Sequence, residues 1–141
     1  MNVFVVDASV AAKWFLPDEP LGAQALHLFD RYAQGDVRFL VPDLFWAELS
    51  NIFWKSVRLR RIRIRSAQSA LASLRDRRIP TFPSLDLLDS AFRIAATFDR
   101  TVYDALYVAL ALHSKSQLVT ADEKLAHSLA PHLPVRSLLS L

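Results

Sequence analysis

The sequence predicts one three-layer α/β/α domain built around a parallel β-sheet. Short apolar, β-branched runs alternate along the chain with longer segments of helical periodicity. Such alternation is typical of a parallel sheet that helices cover on both faces. The 141 residues are also 52% hydrophobic and 22% charged, which favours a folded core over disorder. We therefore expect residues 1–141 to form a single domain.

The N-terminal part contains one predicted strand and two predicted helices. Residues 3–6 form a short apolar and β-branched run, which suits a buried strand. The segments 8–16 and 20–34 have helical character, and Pro17 and Pro20 separate them because proline interrupts a helix.

A second strand and two helices are predicted next. Residues 38–41 resemble a strand that Pro42 closes, and Asp43 can cap a helix that runs to about residue 60. A further helix fits residues 66–77.

The C-terminal half continues the alternation in shorter segments. Pro80 and Pro83 bracket a short extended piece, and Ser84 opens a helix that runs to about residue 98. The remaining predicted elements are a helix at 103–113, a strand at 117–120, a helix at 122–129 and an edge strand at 134–138.

The composition excludes several kinds of site. Gly22 and Gly35 are the only glycines, which excludes the glycine-rich phosphate loops of nucleotide-binding proteins. The absence of cysteine excludes disulfides, zinc ribbons and thiol catalysis. The apolar start carries Asp7 and Lys13 without a basic segment before it, unlike a signal peptide, and no apolar run approaches the ~20 residues of a membrane span. We therefore expect a cytoplasmic protein that does not contact a membrane.

Arginine is concentrated in one stretch of the chain. The formal net charge is only +3, but between residues 58 and 78 Asp76 is the only acid among many arginines. These are Arg58, Arg60, Arg61, Arg63, Arg65, Arg75, Arg77 and Arg78. Such a cluster attracts polyanions, and a solvated helical surface is the alternative.

Two acidic residues follow predicted strands. Asp7 comes directly after the first strand, and Asp122 lies two residues beyond the strand that ends at Thr120. In open parallel sheets, ligands bind beyond the carboxyl ends of strands, near the point where the strand order reverses. Both acids can share that edge, and Ser9 can cap the next helix or hydrogen-bond to a metal-bound carboxylate. The alternative for Asp7 is a helix N-cap.

Two further acidic residues lie on apolar helices. Asp104 is in the first turn of helix 103–113, where a buried carboxylate is costly unless it is capped, paired or metal-bound. Capping and metal binding remain open for it. Glu48 lies mid-helix among apolar and aromatic neighbours, and Asn51 and Lys55 share its narrow polar stripe. An ion pair with Lys55 is the alternative, but two helical turns are too far for the usual pair.

The four acids together predict a metal site. Mg²⁺ and Mn²⁺ are hard cations that prefer carboxylate oxygen and water, and a cation relieves the repulsion among clustered carboxylates. A bound metal can activate water and offset charge that builds on a phosphate. The four histidines lie in unrelated contexts, so no histidine-based site competes for this role.

Four segments resemble the PIN-domain family, and in particular the VapC-type toxins of bacterial toxin–antitoxin pairs. They are Val-Val-Asp7-Ala-Ser9, Pro-Asp-Leu-Phe-Trp-Ala-Glu48-Leu-Ser-Asn51, Tyr103-Asp104-Ala-Leu-Tyr-Val-Ala-Leu-Ala and Leu-Val-Thr120-Ala-Asp122-Glu-Lys-Leu. They occur in the family's order and span nearly the whole chain. Each segment is weak alone, but the four together are specific, and no acidic position is missing.

The resemblance implies an activity and a site. Members of the family are α/β/α sandwiches that cleave RNA phosphodiester bonds with Mg²⁺ or Mn²⁺. The mechanism it implies is attack by metal-activated water, which leaves a 3′-hydroxyl and a 5′-phosphate. By this resemblance Asp7 and Asp104 are the principal metal ligands, Glu48 is a direct ligand or supports one, and Asp122 completes the pocket. Ser9, Asn51 and Thr120 match supporting positions.

The resemblance also implies partners. VapC-type proteins are usually homodimers, and a small cognate antitoxin (VapB-like) silences them, commonly by bringing a basic side chain to the acids. Helix 43–60 suits such docking because it is apolar on nearly every side; the alternative is that all its aromatics are core residues. The proposed RNA-binding residues are Arg58, Arg60, Arg61, Arg63 and Arg65.

Three other classes of protein are alternatives to a ribonuclease. A catalytically silent PIN-like RNA-binding or scaffold protein has no reason to keep four mutually repelling carboxylates. A response-regulator-like domain requires an acid pair after the first strand, which Asp7-Ala-Ser9 does not offer. A flap-type nuclease needs a longer chain to clamp its substrate. The sequence therefore favours the ribonuclease, with the silent protein as the main alternative.

Overall fold

The chain is described by a computed structural model over residues 2–141. It contains one five-stranded sheet whose strands all pair in parallel. The strands are β1 (Asn2–Val6), β2 (Val37–Pro42), β3 (Thr81–Phe82), β4 (Gln117–Thr120) and β5 (Val135–Ser137). The helices are α1 (Ala8–Ala12), α2 (Gly22–Ala33), α3 (Leu44–Arg58), α4 (Ile64–Asp76), α5 (Leu88–Phe98), α6 (Val102–His113) and α7 (Glu123–Leu129). The helices flank the sheet, so the predicted three-layer α/β/α sandwich is confirmed.

The strand order places a crevice beside β1. The order across the sheet is β3-β2-β1-β4-β5, so the chain builds outward on one side of β1 and then crosses to the other. In the register, Val5 lies opposite Leu40 of β2, and Val6 lies opposite Val119 of β4. The strand order therefore reverses between β1 and β4, which is where open parallel sheets bind ligands.

Helix α6 packs against the sheet and is buried over most of its length. All residues from Ala105 to Ala111 are buried, and the helix packs against β1, β2 and β4. An all-round apolar helix is expected to be buried because it has no polar face to present to water. The burial that the sequence predicted for this helix is confirmed.

Helix α3 has one buried face and one partly exposed face. Phe45, Leu49 and Phe53 are buried in the core, whereas Trp54 is 56% exposed. Trp46 is half-buried, and its Nε1 donates a hydrogen bond to Thr81 Oγ1 at 3.0 Å. The alternative that every aromatic of this helix is a core residue is therefore wrong for Trp54.

Several of the predicted helix boundaries are wrong, two of them in the N-terminal part of the chain. The helix predicted at 8–16 ends at Ala12, because the backbone then tightens into turns with i→i−3 hydrogen bonds. In this segment Trp14 Nε1 donates to the carbonyl of Ala25 at 2.9 Å, which fixes the indole in the core. The helix predicted from residue 20 begins at Gly22, after Leu21 adopts a positive φ of 61°.

The predicted capping role of Asp43 is also wrong. Its side chain makes no capping hydrogen bond to α3, because the carboxylate accepts a hydrogen bond from Ser84 Oγ instead. That hydrogen bond lowers the pKa of Asp43. Ser84 begins a short 3-10 turn, Ser84–Leu87, that leads into α5. Within residues 2–141, no helix is both long and apolar enough to span a membrane.

Candidate active site

A pocket of about 200 Å³ lies at the edge where the strand order reverses. The four acidic residues singled out in the sequence all contribute to its wall, as do Ser9 and Tyr107. The four acids are Asp7, Glu48, Asp104 and Asp122. They come from four different parts of the chain: the end of β1, the middle of α3, the first turn of α6 and the loop after β4.

Asp7 both caps a helix and faces the pocket. Its Oδ1 accepts hydrogen bonds from Ser9 Oγ at 2.5 Å and from Val10 N at 3.2 Å, which makes it the N-cap of α1. Burial raises the pKa of Asp7, and the hydroxyls of Ser9 and Thr120 act in the opposite direction. The N-cap alternative is therefore correct, but it does not compete with a role in the pocket.

Tyr107 holds Glu48 in place. The Tyr107 hydroxyl donates a hydrogen bond to Glu48 Oε1 at 2.6 Å, and the tyrosine is buried in α6. Burial raises the pKa of Glu48; the hydrogen bond opposes this rise, and the charges of Asp7 and Asp104 add to it. Within residues 2–141 no ion pair joins Glu48 to Lys55, so the surface-pair alternative is wrong.

Asp104 faces the pocket without capping its helix. Thr101 is the N-cap of α6, since its Oγ1 accepts the backbone N–H of Asp104 at 3.1 Å. The Asp104 carboxylate therefore stays free of the cap and is 40% exposed. Burial raises the pKa of Asp104, the charge of Arg100 lowers it, and the charges of Asp122 and Asp7 raise it further. Of the two alternatives left open by the sequence, capping is wrong.

Asp122 is the N-cap of α7 and is held by the strand before it. Its Oδ1 accepts the backbone N–H of Leu125 at 3.0 Å. Its own N–H donates to Thr120 Oγ1 at 3.1 Å, and Thr120 is completely buried. Thr120 therefore acts from beneath the pocket, where it fixes the loop that presents Asp122.

Sequence reasoning missed two residues at this site. Tyr107 lies three residues after Asp104 on α6, so helical spacing could have revealed that both share one face. Arg100 lies before α6, with its Nε 3.8 Å from Asp104 Oδ2 and its Nη2 4.0 Å from Asp122 Oδ2. No sequence motif indicates that this arginine belongs to the site, because its approach to Asp122 depends on the fold.

Other predicted residues lie outside the pocket wall. Among the described residues that line it, neither Asn51 nor any of the arginines at 58–65 is present. Arg61 is engaged elsewhere, because its Nη2 donates to Glu19 Oε2 at 2.8 Å and to the Pro17 carbonyl at 3.0 Å. Arg58 lies over the Trp54 ring, 4.9 Å from its centroid.

The pocket carries the carboxylate groups that a divalent cation prefers, although the distances between them limit how many can bind it directly. Within residues 2–141, no three His, Cys, Asp or Glu side chains lie close enough together to hold a metal directly. Mg²⁺, however, usually takes only one or two carboxylates from a protein and keeps several waters. The remaining acids can reach such a cation through water. Repulsion among the acids adds to the effect of burial and raises the pKa values of Glu48 and Asp104 further. A bound cation would relieve this repulsion.

Comparison with known proteins identifies the family. The family model described as "PIN domain" matches residues 4–128. Ribonuclease VapC3 of Pyrobaculum aerophilum is 33% identical over 124 residues, which cover 86% of this chain and 91% of that protein. Among solved structures, PAE2754 from the same organism has a TM-score of 0.72 and 25% identity, and covers 99% of this chain and 91% of its own.

A more distant structure has the same fold. VapC20 of Mycobacterium tuberculosis, a toxin that cleaves the sarcin–ricin loop, has a TM-score of 0.66 at 17% identity, and covers 92% of this chain and 95% of its own. The order of the matched segments, the parallel sheet and the matching family model agree with one another. The chain belongs to the PIN-domain family.

Proposed function

We propose that this chain is an endoribonuclease that depends on Mg²⁺ or Mn²⁺ and acts as the toxin of a VapBC-type toxin–antitoxin pair. One observation carries the proposal: four carboxylates from four parts of the chain line one pocket at the edge where the sheet order reverses. Ribonuclease VapC3, 33% identical to this chain, supports RNA as the substrate.

The residues of the pocket divide the work. Asp7 and Asp104 are the proposed principal metal ligands. Glu48 is oriented by Tyr107, and Asp122 is the fourth acid of the pocket. A bound divalent cation would lower the pKa of a water molecule and offset charge that develops on the phosphate. The carboxylates supply the negative field that holds this cation, and the buried Tyr107 hydroxyl keeps Glu48 in one orientation. Ser9 does the same for Asp7.

A catalytically silent RNA-binding or scaffold protein remains the second candidate. The pocket argues against it on physical grounds. Burial raises the pKa values of Asp7, Glu48 and Asp104, which means that ionising them in the folded chain is unfavourable. A protein with no use for a cation gains nothing by keeping these groups together.

The wider proposals rest on family membership. We propose that residues 1–141 work as one cytoplasmic nuclease domain, that two copies form a homodimer, and that a small VapB-like antitoxin inhibits the activity. The exposed part of α3 around Trp54 is the proposed contact for that antitoxin. We also propose that the RNA backbone contacts the arginines at 58–65, around the end of α3 and the start of α4, that are not bound to other groups of the chain.

Cleavage of a labelled RNA tests the proposed activity. Purified protein is incubated with fluorescent RNA and either Mn²⁺ or EDTA, alongside Asp104→Asn and the matched control Asp89→Asn. Asp89 carries the same carboxylate but lies exposed on α5. We expect Asp104→Asn to lose at least about 100-fold in rate, EDTA to stop cleavage, and Asp89→Asn to behave as the original chain. Unchanged cleavage by Asp104→Asn that still has the native circular dichroism would refute the site.

A further inference from the structure

Within residues 2–141, Arg100 is the only cationic side chain that forms an ion pair with an acid of the pocket. Its Nε lies 3.8 Å from Asp104 Oδ2, and its Nη2 lies 4.0 Å from Asp122 Oδ2. The side chain is only 23% exposed. The guanidinium therefore stands between two of the four carboxylates, inside the field that they create.

Arg100 interacts with the two acids through charge and not through hydrogen bonds. Both distances exceed those of a hydrogen bond, for which N···O separations of about 2.7–3.2 Å are typical. Its Nε is buried and has no hydrogen-bond partner among the described residues. An arginine that holds the fold together makes hydrogen bonds, as Arg61 does through its Nη2 with Glu19 and the Pro17 carbonyl. Arg100 is instead held near the acids by charge, with donor capacity to spare.

A divalent cation at this pocket would have to share these carboxylates with the arginine. Asp104 is a proposed metal ligand, and Arg100 lowers its pKa because a nearby positive charge favours the ionised carboxylate. The same positive charge repels a metal ion that approaches that carboxylate. In a partly buried site this repulsion is screened much less than at an open surface.

We infer that Arg100 is a built-in counter-cation of the acidic pocket, which competes with the divalent metal for Asp104 and Asp122 and so weakens metal binding. This inference rests on the proposed function, because it takes the pocket to be the metal site. In the metal-free protein Arg100 offsets part of the acid repulsion. When a cation binds, Arg100 must yield its share of the two carboxylates.

Calorimetric titration with Mn²⁺ in the absence of RNA tests the inference. The variant Arg100→Gln removes the charge and keeps a polar, though shorter, side chain. Arg100→Lys keeps the charge. Arg93→Gln changes the net charge of the protein by the same amount, but Arg93 is 76% exposed on α5 and pairs with Asp89. We expect the Kd for Mn²⁺ to fall about tenfold in Arg100→Gln. It should stay close to the original value in Arg100→Lys and Arg93→Gln.

The outcomes separate this inference from the proposed activity. A Kd in Arg100→Gln that is equal to or higher than that of the original chain overturns the inference and leaves the ribonuclease proposal standing. A tighter Kd in a protein that never cleaves RNA supports the inference and removes the ribonuclease. If neither chain binds Mn²⁺, the inference is overturned together with the metal dependence, and RNA cleavage in EDTA then decides whether the activity itself survives. Thermal melts of each variant in EDTA verify that all are folded.

Discussion

At the scale of single residues, Asp7 carries two duties that pull in different directions. As the N-cap of α1 it accepts the Val10 N–H, which stabilises the helix by about 1 kcal/mol in typical cases. As a partly buried carboxylate it is costly to ionise, because desolvation disfavours the charged form and raises its pKa. Asparagine can perform the first duty, because it is as good a cap as aspartate, but it cannot carry the negative charge.

This division of duties makes Asp7→Asn a test with a defined pH dependence. A carboxyl group whose pKa is higher in the folded than in the unfolded chain binds more protons when folded. Its contribution to the free energy of unfolding is therefore fully present below the unfolded pKa and is lost as pH rises through the folded pKa. We expect the melting temperature in EDTA to be higher for Asp7→Asn than for the original chain at pH 7. The two should converge near pH 4.

Differential scanning calorimetry from pH 4 to pH 7 measures that gap. Mn²⁺ added at pH 7 should raise the melting temperature of the original chain, because a ligand that binds only the folded state stabilises it, and should leave Asp7→Asn unchanged. A gap that narrows with rising pH would contradict the assignment of a raised pKa to Asp7.

Tyr107 offers a second test at this scale. Removing its hydroxyl in Tyr107→Phe deletes the hydrogen bond to Glu48 Oε1 and keeps the buried ring. Because that bond lowers the pKa of Glu48, its loss raises the pKa. We expect cleavage to fall about 10- to 100-fold and its acid limb to move to higher pH. Tyr32→Phe, a tyrosine outside the pocket wall, serves as the control; equal activity in both variants would show that Tyr107 only fills space.

At the scale of elements, the segment between the end of α3 and the start of α4 holds two kinds of arginine. Some contact other groups of the chain, and the others face solvent. Arg61 is tied to Glu19 and the Pro17 carbonyl, and Arg58 lies over Trp54. Arg60, Arg63 and Arg65 are exposed and belong to none of the ion pairs among the described residues. The proposed RNA contact of the five arginines at 58–65 therefore narrows to these three residues.

The triple variant Arg60→Ser, Arg63→Ser and Arg65→Ser tests this surface. RNA affinity is measured against salt concentration in the Asp104→Asn background, where cleavage is blocked. Each lost phosphate contact should reduce the salt slope by about 0.7 to 1 unit. Arg61→Ser is the contrasting variant, since it should lower the melting temperature rather than the slope. An unchanged slope in the triple variant would assign this segment to solvation.

Local patterns predict the elements of this fold better than their ends. The strand at β1 and the helix α6 were predicted because each is apolar over its own length, and burial followed directly. The end of α1 was not, because Trp14 turns inward to reach the carbonyl of Ala25, a contact that no local pattern contains. Long-range contacts of this kind decide boundaries without leaving a signal in neighbouring residues.

The same division applies to the pocket. The four acids could be named from the sequence because each follows a strand or stands out on an apolar helix. Their contacts could not, since Tyr107 meets Glu48 across 59 positions and Arg100 approaches Asp122 only in the folded chain. The roles of the acids as catalytic residues remain predictions.

At the scale of the whole molecule, the exposed side chain of Trp54 is the proposed contact for the antitoxin. Trp54 is 56% exposed on α3, and tryptophans are enriched among the residues that dominate interface energies. The proposed antitoxin is the protein encoded by the gene next to that of this chain. We expect Trp54→Ser to weaken its binding about tenfold or more and to leave RNA cleavage unchanged. Phe92→Ser, an exposed aromatic on α5, is the control.

Co-expression followed by titration of cleavage with the purified partner measures this effect. Equal inhibition of the original chain and of Trp54→Ser would place the antitoxin elsewhere. Inhibition lost only in Phe92→Ser would move the contact to α5. If the neighbouring protein neither binds nor inhibits, the toxin proposal fails while the nuclease proposal stands.

The position of β4 in the sheet has a consequence for the protein during its synthesis. The strand made first, β1, stays unpaired along one edge until β4 emerges from the ribosome, because β4 is its neighbour on that side. Asp122, which follows β4, is made later still. A nascent chain that already displays Asp7, Glu48 and Asp104 therefore lacks both the strand that closes the crevice and the last acid of the pocket. The pocket that the proposed ribonuclease needs is thus incomplete until β4 and Asp122 have been made.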